Sequence, residues 1–591
     1  MILQELTRYY DTLVKEEKVS APGWEDSCKV NYGLNLDDQG KVTLIFPYDR
    51  IDKQGKKEKR IDNQLMRVPV HVKRTSGIAA NFLCDSPSYI LGIDEKEDYI
   101  KAKKCFLASK NLHQKILAKT ESPAAKAVLA FFEKWQPKEA SANLPTDIDL
   151  KNIVSSGNLI FCYEKKPVSD DRAIADAWQE YYDSLSSDKE QGICLVTGRK
   201  DAIARTHPAI KGVRGTQPSG ANLVSFNAEA FESYGHKQGD NAPVGQYAAT
   251  AYTTALNYLL ADKDHCQVIG DTTVVCWAQH GQKVYQDMGM MALFGTSNQL
   301  TDADLSAALH KLSRGEYFEW DGISLDPDEN FYILGLAPNV SRLSVRFFSK
   351  NSFKDFMKNI QQHYEDIKIV GPSYDECEYI PLWQLLNETV NQKSRNKDAS
   401  PQMAGNVLEA ILTNTPYPAS LLNGVELRIR AERDITRGRA AIIKAYYLRM
   451  LRRNNTGTYF PKEVLQMELN KNSTDVAYTL GRMFSVYEQI QKKANPNVNT
   501  TIKDKYFNSA AATPSMIFPV LGNLAAKHLR IVGKTNKGAA VNLEKELGSL
   551  STIIGNAYPT RLNLPEQGSF QLGYYFENQA QYQKKEDKEN V

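Results

Sequence analysis

The period of the apolar residues changes once along this chain, near residue 400, and that change limits the fold more than any single motif. Up to that point short β-type runs alternate with helical stretches. "KVTLIF" (41–46) and "MRVPVHV" (66–72) read as strands bracketing a basic loop, "RIDKQGKKEKR" (50–60). "QVIGDTTVVCWA" (267–278) reads as two strands with Gly270 and Asp271 at a glycine-first hairpin turn. "FYILGLAPNVSRLSVRFF" (331–348) has the same shape, with Pro338 and Asn339 at its turn. In its second strand Arg342, Ser344 and Arg346 alternate with Leu343, Val345 and Phe347, so two arginines are expected on one face and apolar groups on the other. One long helix is expected over 241–262, with Asn241 as cap, Pro243 in the first turn, and Val244, Tyr247, Ala248, Ala251, Ala255 and Leu259 on one stripe.

Beyond residue 400 the pattern is helical throughout. In 474–496, Val476, Leu480, Met483, Phe484, Tyr487 and Ile490 recur at helical spacing before Pro496 stops the run. A helix over 512–532 is expected to start with Thr513 as cap and Pro514 at the first position, and others follow near 541–557 and 566–583. Antiparallel helices of this length make a bundle, and the tail "KKEDKENV" is expected to be disordered. The fold class is therefore α+β: a large mixed region over 1–400, then a basic all-α bundle over 401–591. A chain of 591 residues is too long for one core, so several domains are expected.

No apolar run reaches the roughly 18 residues of a membrane span, and "MILQELTRYYDTLVKEE" is an amphipathic helix rather than a signal peptide. A cytoplasmic location is the expectation. The eight cysteines, at 28, 84, 105, 162, 194, 266, 276 and 377, show no paired ligand spacing. Reduced, mostly buried thiols are expected, and no metal or other cofactor. His265 and Cys266 are neighbours in sequence, but adjacent side chains diverge, so they make no catalytic pair.

The net charge of +3 conceals an uneven distribution. Residues 424–453 hold nine Lys or Arg against three acids, and residues 471–537 hold ten against three. Together with 50–60 these segments create local positive fields that attract polyanions. Within "KGVRGTQPSG" (211–220), Gly215 and Gly220 have phosphate-loop spacing, but Ala221 and Asn222 stand where Lys and Ser or Thr are required. Nucleotide hydrolysis is thereby excluded at this loop. The G-x-x-G of residues 212–215, with basic neighbours, suits a nucleic-acid backbone instead. No H-E-x-x-H, G-x-S-x-G or paired-carboxylate nuclease pattern is present, and the nine histidines are dispersed. The residues argue for binding and not for bond-making, with no catalytic residue assigned.

Four blocks carry a resemblance. They are "RTSGIAANFLCDSPSYILG" (74–92), the stretch 194–260 around "THPAIKGVRGTQPSGANLVSFN", "LGLAPNVSRLSVRFF" (334–348) and 480–519. In this order they resemble the large subunit of the type I-C CRISPR surveillance complex, Cascade. One departure is Arg199-Lys200 after "TG", where the family pattern has an acidic residue. The resemblance implies a non-catalytic protein in a guide-RNA ribonucleoprotein, with no cofactor. It implies reading of the protospacer-adjacent motif (PAM) in double-stranded DNA, a start to unwinding and R-loop formation, and recruitment of a helicase-nuclease. It also implies that the bundle, from about residue 455, is similar to the small subunit and is made separately by internal initiation. Met450 and Met467 are the candidate starts.

Two loops of basic, glycine and small polar residues then become the expected DNA contacts. From the first come Lys73, Arg74, Thr75, Ser76 and Asn81; from the second come Lys211, Arg214, Gln217, Ser219 and Asn222. The cations are expected on phosphates or in a groove, and Asn81, Gln217 and Asn222 at base edges or between strands. Arg430, Arg433, Arg437 and Lys444 are expected to line a strand path from one helix face, with Tyr446 and Tyr447 available for stacking. The alternatives are a metal-independent nuclease acting on guide RNA or other nucleic acid, and a scaffold that contacts only protein.

Overall fold

The computed structural model describes the chain except residues 55–56, 62, 73, 75–76, 95–98, 145–149, 156, 188–190, 296–301, 373–374, 376–378, 396–398, 454–459 and 590–591. The α+β expectation is met. Every strand precedes residue 353, and the described residues beyond it form helices and connections only. The chain divides into two compact units, Met1–Ala209 with Val224–Tyr258, and Ile210–Leu223 with Leu259–Val591. Among the described residues no helix is long and apolar enough to cross a membrane.

The first unit is built on a mixed sheet. The long strand Trp24–Leu36 pairs antiparallel with Val42–Pro47 and Gln64–Pro69, and parallel with Asn158–Tyr163. The short strand Cys84–Asp85 adds to the far side of Asn158–Tyr163. The basic segment expected as a loop is a hairpin of its own, Arg50–Gln54 against Lys57–Ile61. Helices Tyr99–Leu117 and Pro123–Lys134 supply apolar side chains that pack with the sheet around Phe82, Phe131, Phe132 and Phe161.

His113 sits at the centre of this core. Leu83 takes a left-handed backbone, with φ of 62°, and its N–H donates to His113 Nε2 at 2.9 Å. The other ring nitrogen, Nδ1–H, donates to Ser109 O at 2.8 Å, so the ring is neutral and both nitrogens are used.

The expected 241–262 helix starts later, as Gln246–Ala261. Asn241 does not cap it. Its Oδ1 accepts from Ser233 N and its Nδ2 donates to His236 O and Gln238 O, which closes the preceding turn. Pro243 O and Val244 O accept from Leu195 N and Ala204 N at 2.9 Å each, so this backbone is held extended and the helix begins only after it.

The second unit carries a four-stranded antiparallel sheet, ordered Cys266–Ile269, Thr272–Ala278, Asn330–Asn339 and Arg342–Ser352. The Gly270 turn forms as expected, with φ of 61°. The second turn falls two residues later than expected. Pro338 stays in the ladder opposite Leu343, and the exposed Val340 takes the left-handed conformation at φ 56°. A bulge adds Arg346 as an extra residue in the last strand, which breaks the strict alternation and leaves Val345 partly exposed.

A single apolar cluster runs from this sheet into the C-terminal helices. Those are Val476–Ala494, Ile502–Ala512, Pro514–Thr535, Lys537–Ile554 and Leu564–Glu589. Asp475 caps the first by accepting from Tyr478 N at 2.7 Å. Pro514 holds the first position of its helix, but the Thr513 hydroxyl donates to Ser509 O instead of capping. The tail expected to be disordered continues the final helix through Glu589, as its Lys- and Glu-rich composition permits. Helices Val476–Ala494 and Leu564–Glu589 touch backbone to backbone at two glycines. A Cβ on Gly481 would stand 1.9 Å from Phe570 O, and one on Gly573 would stand 2.1 Å from Tyr478 O.

Burial that holds histidines neutral makes stability depend on pH; His207 is pushed down to about 4, and two others lie deeper still. Burial pushes His113 down to about 4 and His363, whose Nδ1 is 2.5 Å from Tyr417 Oη, down to about 3. The unfolded chain binds these protons near pH 6.5, the folded chain only below 4. Their contribution is complete above about pH 6.5 and is lost as pH falls towards 4, by roughly 1.4 kcal/mol per unit for each. Thermal unfolding between pH 7 and 4.5 is expected to show a falling Tm, and His113→Gln with His363→Gln should flatten that fall. Equal slopes in both proteins would rule these two groups out as its source.

Candidate nucleic-acid interface

The loop 211–220 is closed at its base by two reciprocal hydrogen bonds, Ile210 N to Ala221 O and Ala221 N to Ile210 O, both 2.8 Å. Ile210, Val213 and Ala221 are buried and anchor it. Gly212, Gly215 and Gly220 all have positive φ, at 92°, 83° and 91°, which fits the glycine spacing that marks the segment. Gly215 also lies against Pro338, where a Cβ would approach to 3.1 Å. Further fixed points come from Arg214 N, which donates to Thr273 Oγ1 at 3.0 Å, and from the Thr216 hydroxyl, which donates to Val213 O at 2.8 Å.

With the backbone held, the long side chains point outward. Lys211, Arg214, Gln217 and Ser219 are exposed. No hydrogen bond or ion pair engages the Arg214 or Gln217 side chains among the described residues. Asn222 is half-buried and its backbone bridges the last strand of the sheet, donating to Ser341 O at 3.2 Å and accepting from Leu343 N at 3.0 Å. That bridge sets Asn222 beside Arg342, so the loop and the arginine-bearing hairpin form one surface. Arg346, further along, is tied to Asp271 at 2.7 Å and Gln402 at 3.2 Å.

The other loop, in the first unit, is organised from inside by Asp85. This carboxylate, 1% exposed, accepts from Arg74 Nη1 at 2.9 Å, and a second Arg74 bond makes the contact bidentate. It also accepts from Asn81 N at 2.8 Å and Ser86 N at 2.7 Å. The Arg74 guanidinium stacks over the Tyr89 ring at 3.9 Å. Asn81 is buried, and its Oδ1 accepts from Val72 N at 2.9 Å. Arg74 and Asn81, read from sequence as DNA contacts, thus serve the loop itself. Drawing Arg74 away to a phosphate would strand a buried carboxylate. Lys73, Thr75 and Ser76 lie outside the described residues.

The expected stripe of Arg430, Arg433, Arg437 and Lys444 is not on one helix. The chain breaks at Arg433, the left-handed end of Ala419–Glu432, and restarts at Arg437–Arg452 with Thr436 as its cap. Arg430 is exposed and donates to Gln567 Oε1 at 3.1 Å, while Arg433 is half-buried. Arg437 pairs with Asp375 at 3.0 Å. Lys444 is 2% exposed, and its Nζ donates to Asp366 O and Lys368 O at 2.8 Å each. Burial lowers that ammonium to about 8. Tyr447 is buried and stacks on Phe460 with ring centroids 4.0 Å apart, and Tyr446 is half-buried against the same core. In the segment where cations are densest, Arg439, Lys444 and Arg449 are thus buried, and Arg430, Arg452 and Arg453 are the exposed ones.

Cations that do face solvent lie on helix Pro514–Thr535. Lys527, Arg530 and Lys534 are all exposed at spacings of three and four, with Lys537 just beyond. No ion pair engages these four among the described residues. Sequence reasoning counted them in the basic segment 471–537 but did not single them out, although the helical period already placed them on one face. His265 is held between Asp262 at 2.9 Å and Asp287 at 2.5 Å, so both ring nitrogens are engaged away from Cys266.

A family model described as "CRISPR-associated protein (Cas_Csd1)" matches residues 6–582 of the chain. No curated protein matches the chain.

The exposed face of Pro514–Thr535 yields a direct expectation. Replacing Lys527, Arg530 and Lys534 together by Ala should weaken duplex DNA binding and make the plot of log affinity against log salt shallower by about 2 to 3. Lys444→Met should leave that slope unchanged and lower Tm. An unchanged slope in the triple variant would take this face out of the interface.

Proposed function

Because the chain belongs to the Cas_Csd1 family of CRISPR-associated proteins, we propose that it is the large subunit of a type I-C Cascade complex and reads the PAM in double-stranded target DNA. In this reading it works without catalysing a reaction. It meets the duplex first, holds the motif, helps separate the strands so that the guide RNA can form an R-loop, and helps bring in a helicase-nuclease.

One observation carries the reading: a hydrogen-bonded loop presents Arg214 and Gln217, exposed and unengaged among the described residues, beside a hairpin that bears Arg342. Recognition of a short duplex motif needs few base contacts and a larger set of phosphate contacts to hold the register. A loop with three left-handed glycines brings backbone close to a groove without obstructing side chains. Gln217 can donate and accept at once, as a base edge requires. Arg214 and Lys211 supply charge for the phosphates or for a narrowed minor groove. The exposed cations of Pro514–Thr535 suit one of the separated strands.

Internal initiation fits Met467 better than Met450. A product beginning at Met467 keeps all five C-terminal helices whole, whereas Met450 lies within Arg437–Arg452 and would open on the last turn of that helix. Intact-mass measurement of the assembled complex should show a short product starting at Met467 that disappears with Met467→Leu. A product starting at Met450 in both preparations would reject this assignment.

The reconstituted guide-RNA complex tests the main reading. At fixed salt, binding to a target with the accepted motif is compared with binding to the same target with the motif scrambled. Gln217→Ala should erase most of that preference, by roughly tenfold or more, since a good base contact is worth about 1–3 kcal/mol. Arg214→Ala should weaken both targets alike. A preference intact in both variants would place the readout elsewhere, and cleavage of precursor RNA by the chain alone would reverse the non-catalytic assignment.

A further inference from the structure

Three residues remote in sequence, Cys28, His71 and Cys84, converge in the first unit. Cys28 Sγ lies 3.9 Å from Cys84 Sγ and 3.9 Å from His71 Nε2, and all three atoms lie within 4.8 Å of one another. Both sulfurs are buried and the histidine is half-buried at the rim. The geometry points to a metal site: we propose that Cys28, Cys84 and His71 Nε2 bind one zinc-type divalent ion, with Glu25 orienting the histidine.

The spacing is that of ligands around one ion. A tetrahedral zinc with bonds of about 2.3 Å to sulfur and about 2.0 Å to nitrogen holds neighbouring ligand atoms about 3.5–3.8 Å apart. The two separations from Cys28, 3.9 Å each, are a few tenths wider, and the Cys84–His71 pair lies within 4.8 Å, so an inward movement led by the His71 ring completes the coordination. Two thiolates with an imidazole select a borderline-soft ion over magnesium or calcium, which take oxygen. Binding releases the two thiol protons. The fourth position is left for water.

The surroundings match such a site. Glu25 Oε1 lies 3.6 Å from His71 Nδ1, the ring nitrogen that does not face Cys28, where a carboxylate drawn into hydrogen-bond range favours the tautomer that leaves Nε2 free to ligate. Asn158 Nδ2 lies 3.5 Å from Cys28 Sγ and donates to Lys29 O at 3.0 Å, so an amide N–H faces the sulfur. The register of Trp24–Leu36 against Gln64–Pro69 shifts between Glu25 and Cys28, a bulge that re-aims side chains locally. Cys84 comes from the strand on the far side of Asn158–Tyr163, and His71 follows the end of Gln64–Pro69. One ion would therefore join three chain segments and clamp both ends of the loop between residues 72 and 83. The inference does not rest on that loop touching DNA.

The test uses the full-length chain with any affinity tag removed. After zinc loading and exhaustive dialysis, metal analysis is expected to give one zinc per chain, and Cys84→Ser and Cys28→Ser to give none. Cobalt in place of zinc should show a thiolate charge-transfer band and the d–d bands of a tetrahedral ion. If the serine variants fail to fold, Glu25→Gln serves in their place, with cobalt affinity expected to fall by about 10- to 100-fold, while the control Cys266→Ser leaves it unchanged. Wild-type chain without stoichiometric metal overturns the proposal, as does a cobalt spectrum without the thiolate band, metal retained in full by the serine variants, or a Cys28–Cys84 disulfide in the unreduced protein.

Discussion

The second unit is organised around one buried carboxylate. Asp366, 1% exposed, closes helix Phe353–Ile367 and accepts from Arg449 at 3.4 Å and from Arg452. Gln362 adds a hydrogen bond to the same carboxylate at 3.2 Å. Arg449 spends its remaining donors on Thr415 O at 2.8 Å and Ala410 O at 2.7 Å, and its guanidinium lies over the Tyr417 ring. Lys444, one turn away, holds the carbonyls at the end of the Asp366 helix. Removing one partner from such a set leaves an uncompensated buried charge, at about 3–5 kcal/mol. The network binds helix Arg437–Arg452 to the helix that leaves the sheet. Helix Leu564–Glu589 then packs on Arg437–Arg452, with Gly568 against Tyr447 and Ile443. The bundle is thereby located with respect to the sheet through a set of ionic contacts inside an apolar core.

That arrangement changes what a basic segment means. Residues 424–453 look like a polyanion surface when charges are counted, yet Arg439, Lys444 and Arg449 are buried. Arg439 pairs with Glu388 at 3.3 Å and with Glu432, both acids brought to it by the fold. Loop 211–220 and helix Pro514–Thr535 have fewer cations, but Arg214, Lys527, Arg530 and Lys534 meet no carboxylate among the described residues and remain in water. A polyanion responds to cations that are solvated and unpaired, because only those release counterions on contact.

Local rules carried the reading furthest where the deciding interaction was local. Gly270 needs a left-handed backbone, so its hairpin was legible, and Pro514 and the run from Val476 to Ile490 marked helices that formed almost as drawn. Three glycines in ten residues likewise marked 211–220 as a shaped loop. The reading and the structure part where a neighbouring turn or loop claims a side chain that the local rule had assigned elsewhere. Asn241 has the chemistry of a cap, but Ser233, His236 and Gln238 claimed its side chain. Arg74 and Asn81 have the chemistry of DNA contacts, but Asp85 and Val72 took them. Cys28, His71 and Cys84 share no spacing pattern, because a sheet and not a short motif brings them together.

The sequence by itself determined the α+β class, the helical character of the C-terminal region, the glycine positions of the 211–220 loop and its lack of phosphate-loop chemistry. Periodicity, glycine and proline act over a few residues, and the order of the chain is enough to read them. Only the tertiary structure decided which cations are solvated, which polar side chains are already engaged, and which thiols meet a histidine. Those outcomes depend on burial and on partners far away in the chain, since a charge or a thiol acquires its chemistry from what surrounds it.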